Sequence, residues 1–209
     1  MKSILIVQHC QSEHHIRGMA GGWTDTPLTE LGRKQAESIG IRLAAENFDE
    51  GYSIHSSDLM RTSQTAEIIS KHTNMKIHLC HGLREIDIGE ETQKSVEWLR
   101  QNQTPMPLQD DGNFLDYRLL PGAETKREFY YRTTAFLDEL NRQIQSNVVI
   151  VTHGGTVTNI VFWWLKIPIE ALNSSYMRCF PGSITYLEED ALGYRYIKGL
   201  NDTRHLDNV

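Results

Sequence analysis

The stretch Ser3-Ile4-Leu5-Ile6-Val7-Gln8-His9-Cys10 decides how the rest of the chain reads. Residues 4–7 are apolar without alternation, which marks a short strand covered on both faces, as in a largely parallel sheet. The run ends on a histidine. A later run, Val148-Val149-Ile150-Val151-Thr152, ends the same way, on His153-Gly154-Gly155. Two histidines at the C-terminal mouths of two strands, each leading into a loop or helix start, is how an open α/β sheet assembles a site.

Working outward, residues 14–26 are polar with Gly18, Gly21 and Gly22 and read as a loop on the active face. Thr29 caps a helix to about Glu46, with Leu28, Leu31, Ala36, Ile39 and Leu43 on one face. Residues 52–55 form a brief strand. Ser56 or Ser57 caps a helix over 58–71, and 76–79 is the next strand. A short helix around Val96 and Leu99 sits inside a less regular stretch, 80–122, which reads as an insertion over one end of the sheet. A helix from Ala123 to Gln143, the strand 148–152, a helix from Gly155, and strands at 184–188 and 194–197 follow, one of them at a sheet edge. The tail from Asn201 to Val209 is polar and expected to fray. Alternating strands and helices point to an α/β fold in one domain, 1–209.

Composition narrows the function classes. A formal net charge of −6 disfavours a bulk nucleic-acid binder, yet a local arginine cluster can still hold a small anion. No stretch approaches the roughly 18 uninterrupted apolar residues of a membrane span, and a strand starting at once leaves no room for a signal peptide. Cys10, Cys80 and Cys179 are odd in number and lack CxxC spacing, which points to a reducing, cytoplasmic setting. The oligomeric state stays open, a homodimer included.

An imidazole is nucleophilic near neutral pH, and the phosphoramidate it forms is labile to water. Such a site must neutralise a charge near −2, which the planar fork of arginine does well. Arg61 stands in the first turn of its predicted helix, where backbone donors add to it. Gly154-Gly155, after His153, let backbone N–H groups approach an anion. Glu85 follows the 76–79 strand on the same face and can protonate a leaving oxygen if its pKa is raised.

Together these segments resemble the histidine phosphatase superfamily, its phosphoglycerate-mutase-like branch, over nearly the whole chain. The motif residues are Gln8-His9-Cys10-Gln11-Ser12, Thr26-Pro27-Leu28-Thr29-Glu30-Leu31-Gly32, Ser57-Asp58-Leu59-Met60-Arg61-Thr62, Leu83-Arg84-Glu85-Ile86-Asp87, Pro121-Gly122-Ala123-Glu124-Thr125 and Thr152-His153-Gly154-Gly155. The resemblance implies a three-layer α/β/α sandwich with a mostly parallel central sheet. It also implies phosphomonoester hydrolysis through a phosphohistidine at His9, with Arg61 and His153 binding the phosphoryl group and Glu85 as proton donor, without metal or cofactor. The partner is then a small phosphorylated molecule or phosphate. Glu90-Glu91-Thr92-Gln93-Lys94 is acidic first, where the mutase branch has basic residues, which favours a phosphatase.

Two residues depart from the pattern. Gln8 stands where the family has arginine, and loss of one charge-assisted donor commonly costs roughly hundreds-fold in rate. Cys10 replaces a glycine beside the nucleophile. Arg17 is the expected substitute cation, and Gln8 and Cys10 join it as candidate phosphate contacts. A second reading is therefore a non-catalytic protein that keeps the pocket for an anionic ligand or a protein partner. Trp23 and Trp98 are candidates to line the acceptor pocket, which would favour an apolar leaving group. His9, Cys10, His14 and His15 lack a recognised metal-ligand spacing, and the Cys10–Arg17 interval lacks the glycines of a phosphate cradle. His55, His72, His78, His81 and His205 read as structural or solvated, Arg84 and Arg127 as solvated surface charges, and Glu124 as either a helix-terminus charge or a site residue.

Overall fold

The computed structural model describes residues 2–46, 48, 51–89, 93–107, 114–144 and 147–209. The acidic pair Glu90-Glu91 and the polar run 109–113 lie outside the described residues. Six strands form one sheet: β1 (Ser3–Gln8), β2 (Ser53–Ser56), β3 (Ile77–Leu79), β4 (Val148–Thr152), β5 (Ile184–Glu189) and β6 (Arg195–Asp202). Their order is β3-β2-β4-β1-β5-β6. The first four are mutually parallel, and β5 and β6 continue the sheet antiparallel, with β6 at the edge.

Helices cover both faces, giving the three-layer α/β/α sandwich. After the short α1 (Glu13–Ile16), α2 (Glu30–Ala45) and α3 (Met60–Thr73) cover one side and bury Ala36, Ile39, Leu43, Ala66 and Ile69 against Leu5, Val7, Val149 and Val151. On the other, α5 (Lys126–Gln143) and α6 (Gly154–Leu165) bury Leu137, Val157, Ile160 and Trp164 against Ile4, Ile6, Val148 and Ile150. Consecutive residues of β1 and β4 thus feed opposite cores, which is why both runs are apolar without alternation. The 80–122 stretch holds a 3₁₀ turn, His81–Leu83, and α4 (Val96–Asn102). It packs a small satellite core, Ile88, Leu99, Leu120 and Ala123, onto Ala20 of the loop after β1.

Helix starts follow their caps. Thr29 Oγ1 accepts from Gly32 N at 3.0 Å, as its position suggested. The helix expected from Ala123 begins at Lys126, because Thr125 and Glu128 form a reciprocal capping box. The helix expected from 58 begins at Met60, without Ser56 or Ser57 as its cap. Met60 N donates instead to Asp25 Oδ1 at 2.6 Å, which releases Ser57 for another use. The tail is a clear correction. β6 continues through Asp202, Arg42 ties to Asp202 at 2.9 Å, and the His205 ring bonds the Gly182 carbonyl at 2.9 Å. Polar residues looked frayed in sequence, but here their polar atoms are consumed by tertiary partners.

Candidate active site

Because β1, β2 and β4 are parallel, their C-terminal ends open on one edge of the sheet. Gln8 and Thr152 are register partners, and His9 N donates to Thr152 O at 2.8 Å. His9 and His153, the next residue on each strand, therefore meet across the β1–β4 seam with ring centroids 5.2 Å apart.

The hydrogen bonds of His9 settle its tautomer. Nδ1 lies 2.8 Å from the Cys10 carbonyl, which can only accept, so Nδ1 carries the proton and Nε2 keeps its lone pair. Arg61 Nε donates to that Nε2 at 3.2 Å. Burial, then the Arg61 charge, holds the His9 pKa well below the usual imidazole value. His153 sits at the N-cap of α6, its Nε2 2.9 Å from Ser57 Oγ, and burial lowers its pKa in the same way. Its Nδ1 is buried without a hydrogen-bond partner among the described residues.

Arg61, on the first turn of α3, is 1 % exposed. Nη1 donates to Thr24 O at 2.6 Å and Nη2 to Gly22 O at 2.7 Å, so the loop after β1 orients the guanidinium. Burial draws its pKa down to about 10. Gly22 has φ +53°, and a Cβ there would meet Ile88 Cγ1 at 2.9 Å and Ile86 O at 3.0 Å, so a side chain is excluded where the carbonyl must face Arg61.

Glu85 is held from four directions. Its Oε2 accepts from Gly155 N and its Oε1 from Ile86 N, both at 2.9 Å. Its carbonyl accepts from Trp23 Nε1 at 2.8 Å and Arg132 Nη2 at 2.9 Å. Burial raises the carboxyl pKa, and the two backbone bonds only partly offset it. Arg132 is clamped by Glu124 at 2.7 and 2.8 Å and also bonds the carbonyls of Gly82 and Arg84. Glu124 and Arg132 are thus positioning residues for the Glu85 loop. Only the folded chain brings them together.

The remaining candidates fall in varied places. The Gln8 amide lies beside Gly154, and its Oε1 is buried without a partner among the described residues. Cys10 turns its side chain into the α2–α3 core beside Gly182, where burial pushes its thiol up to about 12. Arg17, expected as a substitute cation, stands 64 % exposed in an ion pair with Glu13 at 3.1 Å. Trp23 holds the Glu85 backbone, while Trp98 packs on the satellite core. Arg84 and Arg127 are not free surface charges: Arg84 grips Asp58 at 2.7 and 2.8 Å, and Arg127 grips Asp116 at 2.7 and 3.0 Å. Of the expected pair Gly154-Gly155, the Gly155 N–H is taken by Glu85 Oε2 at 2.9 Å.

His14 and His15 come to His9, with the His15 ring stacked on it at 5.5 Å between centroids and the His14 ring at 5.9 Å. Ligating nitrogens of His9, His14 and His15 lie within 4.8 Å of one another, a proximity their spacing concealed. Ser12 N donates to His15 Nδ1 at 3.1 Å, so neutral His15 carries its proton on Nε2. That atom is then a donor for an oxygen and offers no lone pair to a metal ion. His14 Nδ1 pairs with Ser12 Oγ at 2.8 Å, and burial lowers its pKa to about 3.

Comparison with known proteins agrees in extent and fold. Residues 4–203 match the family model of the histidine phosphatase superfamily, branch 1. The chain is 29 % identical over 206 residues to the putative phosphoserine phosphatase 2 of Hydrogenobacter thermophilus, covering 99 % of this chain and all of that protein. It is likewise 29 % identical over 210 residues to the probable phosphoglycerate mutase GpmB of Salmonella choleraesuis, covering 99 % and 96 %. Bacillus stearothermophilus YhfR superposes with a TM-score of 0.79 at 26 % identity, covering 99 % of this chain and all of that one. No helix among the described residues is long and apolar enough to cross a membrane. With a strand-end histidine pair, a buried arginine bonded to the first of them and a family match spanning nearly its whole length, the chain belongs to the histidine phosphatase superfamily, branch 1, a family of phosphatases and mutase-like hydrolases that bind small phosphorylated ligands.

Proposed function

We propose that the protein hydrolyses small phosphomonoesters through a phosphohistidine at His9, independently of a metal ion. The observation that carries this reading is the His9 tautomer: Nδ1–H bound to the Cys10 carbonyl leaves a lone pair on a buried, neutral Nε2 beside Arg61. A phosphoryl oxygen takes over the Arg61 Nε–H, freeing Nε2 to attack phosphorus. The Nε2–P bond forms as the bond to the ester oxygen breaks, and Glu85 passes its proton to that oxygen. Water then attacks phosphorus and returns a proton to Glu85, releasing phosphate and neutral His9. Arg61, His153 and the Nε2–H of His15 donate to the equatorial oxygens. In this arrangement His14 and His15, rather than Arg17, compensate for the neutral Gln8.

The competing reading, an inactive protein that binds an anionic ligand or a protein partner, draws on the same Gln8, whose neutral amide supplies no charge. Incubation with a panel of phosphomonoesters, wild type against His9→Ala, decides between them. The phosphatase reading expects turnover that vanishes in H9A and an acid-labile, base-stable phosphoryl adduct on His9 after rapid quenching. Turnover that persists in H9A, or none in the wild type across sugar, amino-acid and aryl phosphates, refutes it.

A further inference from the structure

Resting on the phosphatase reading above, we propose that the natural leaving group is a ring-sized, largely apolar alcohol that carries an anionic group at its far end. A cavity of about 310 Å³ opens beside the Glu85 carboxylate and Gly154, between α5, α6 and the segment 172–179. Glu85 is the proton donor to the leaving oxygen in this mechanism, so whatever is bonded to that oxygen continues into this cavity. Its apolar walls are Ile86, Phe129, Leu172 and Met177, with Tyr176 at the rim. Trp23 and Trp98, the aromatic residues the sequence singled out, do not line it.

Size and charge together restrict the occupant. With about 30 Å³ per water molecule, the cavity holds about ten water volumes, and a three-carbon alcohol would leave much of its apolar wall wet. A group of roughly ten non-hydrogen atoms fills it. Apart from Glu85 at the mouth, the charged lining residues are Lys126 and Arg178, both cations. Lys126 Nζ donates to Leu172 O at 3.1 Å, which fixes the ammonium at the cavity wall and leaves its other protons for a ligand. Burial lowers the Lys126 pKa, so its ammonium is partly desolvated and gains from an incoming anion. A second hollow of about 760 Å³ continues past Lys126 over Phe114 and Ser174, so the far end of the ligand is not walled off.

Three esters of primary alcohols test this with nearly constant leaving-group chemistry: ethyl, benzyl and 4-carboxybenzyl phosphate. The expected kcat/KM rises at least tenfold from ethyl to benzyl and about tenfold again to 4-carboxybenzyl at low salt. In Lys126→Met the second ratio should collapse to near one, and in Arg178→Leu it should fall by a smaller factor. The R178L variant keeps the test open if K126M does not fold. Equal kcat/KM for ethyl and benzyl phosphate, or a carboxylate preference that survives in both variants, overturns the inference while His9-dependent turnover leaves the phosphatase reading intact. No His9-dependent turnover of these three esters alongside turnover of the sugar, amino-acid or aryl panel overturns the inference alone, and no turnover of either set overturns the phosphatase reading itself.

Discussion

Replacing Gly155 by alanine tests whether Glu85 acts as the general acid. An alanine Cβ at this position would sit 2.3 Å from Glu85 Oε1 and 3.1 Å from Phe129 Cε1, where ordinary contact starts at 3.4 Å. The carboxylate must therefore retreat by about 1 Å, which also strains the 2.9 Å bond from Gly155 N to Oε2. A displacement of about 1 Å in a reacting group costs roughly a hundredfold in rate, or about 2.7 kcal/mol of transition-state stabilisation. The loss should appear only where the leaving group needs a proton. Gly155→Ala should lower kcat/KM for benzyl phosphate by roughly a hundredfold and for 4-nitrophenyl phosphate, whose phenolate departs unaided, by less than about fivefold. Steady-state kinetics on both esters, with thermal unfolding as a check on folding, reads this directly. Equal losses on the two esters would mean a general distortion of the pocket, and an undiminished benzyl rate would remove Glu85 from proton donation.

Three further expectations concern charge. Burial raises the Glu85 pKa, so kcat/KM for benzyl phosphate should fall as pH rises through it, and an alkaline limb that survives in Glu85→Gln would exclude Glu85 as its source. Gln8→Arg should alter kcat/KM by less than about tenfold if His14 and His15 already serve the phosphate, while His15→Ala should cost roughly a hundredfold; a gain of orders of magnitude in Q8R defeats the compensation. His14 and His55 have folded pKa values lowered to about 3 and about 4, chiefly by burial. Between these values and the unfolded value near 6.5 the unfolded chain binds more protons. Each should therefore remove about 1.4 kcal/mol of stability per pH unit as pH falls from about 6.5, the contribution being fully present above it. Urea unfolding at pH 7.5 and 5.5 checks the slope, and His55→Asn should reduce it by one proton's worth.

Sequence carried the layered fold because β1 and β4 are buried on both faces and say so in uninterrupted Ile, Leu and Val, while α2 advertises its cap in Thr29. It placed His9 and His153 side by side because parallel strands expose their C-terminal residues on one edge, and the two histidines occupy those positions. What it could not carry was partnership across the chain. Ser57 was read as a helix cap, yet Asp25 meets the start of that helix and Ser57 turns to His153. Cys10 was read as a pocket residue, yet its side chain enters the α2–α3 core. Trp23, expected as a pocket wall, lines a hollow beside Asp25 and Arg84 and also donates to the Glu85 backbone. Arg17 was read as a spare cation, yet its i,i+4 carboxylate partner holds it in solvent.

By itself, then, the sequence determined the α/β layering, the two strand-end histidines and the anomalous glutamine, because periodicity, capping chemistry and motif spacing are local along the chain. Only the tertiary structure decided which nitrogen of His9 keeps its lone pair, which glycine serves Glu85, how Arg132 and Glu124 hold the Glu85 loop, and where the cavity beside Glu85 lies. Each of those depends on atoms brought together from distant positions, as Glu85 and Gly155 are across 70 residues.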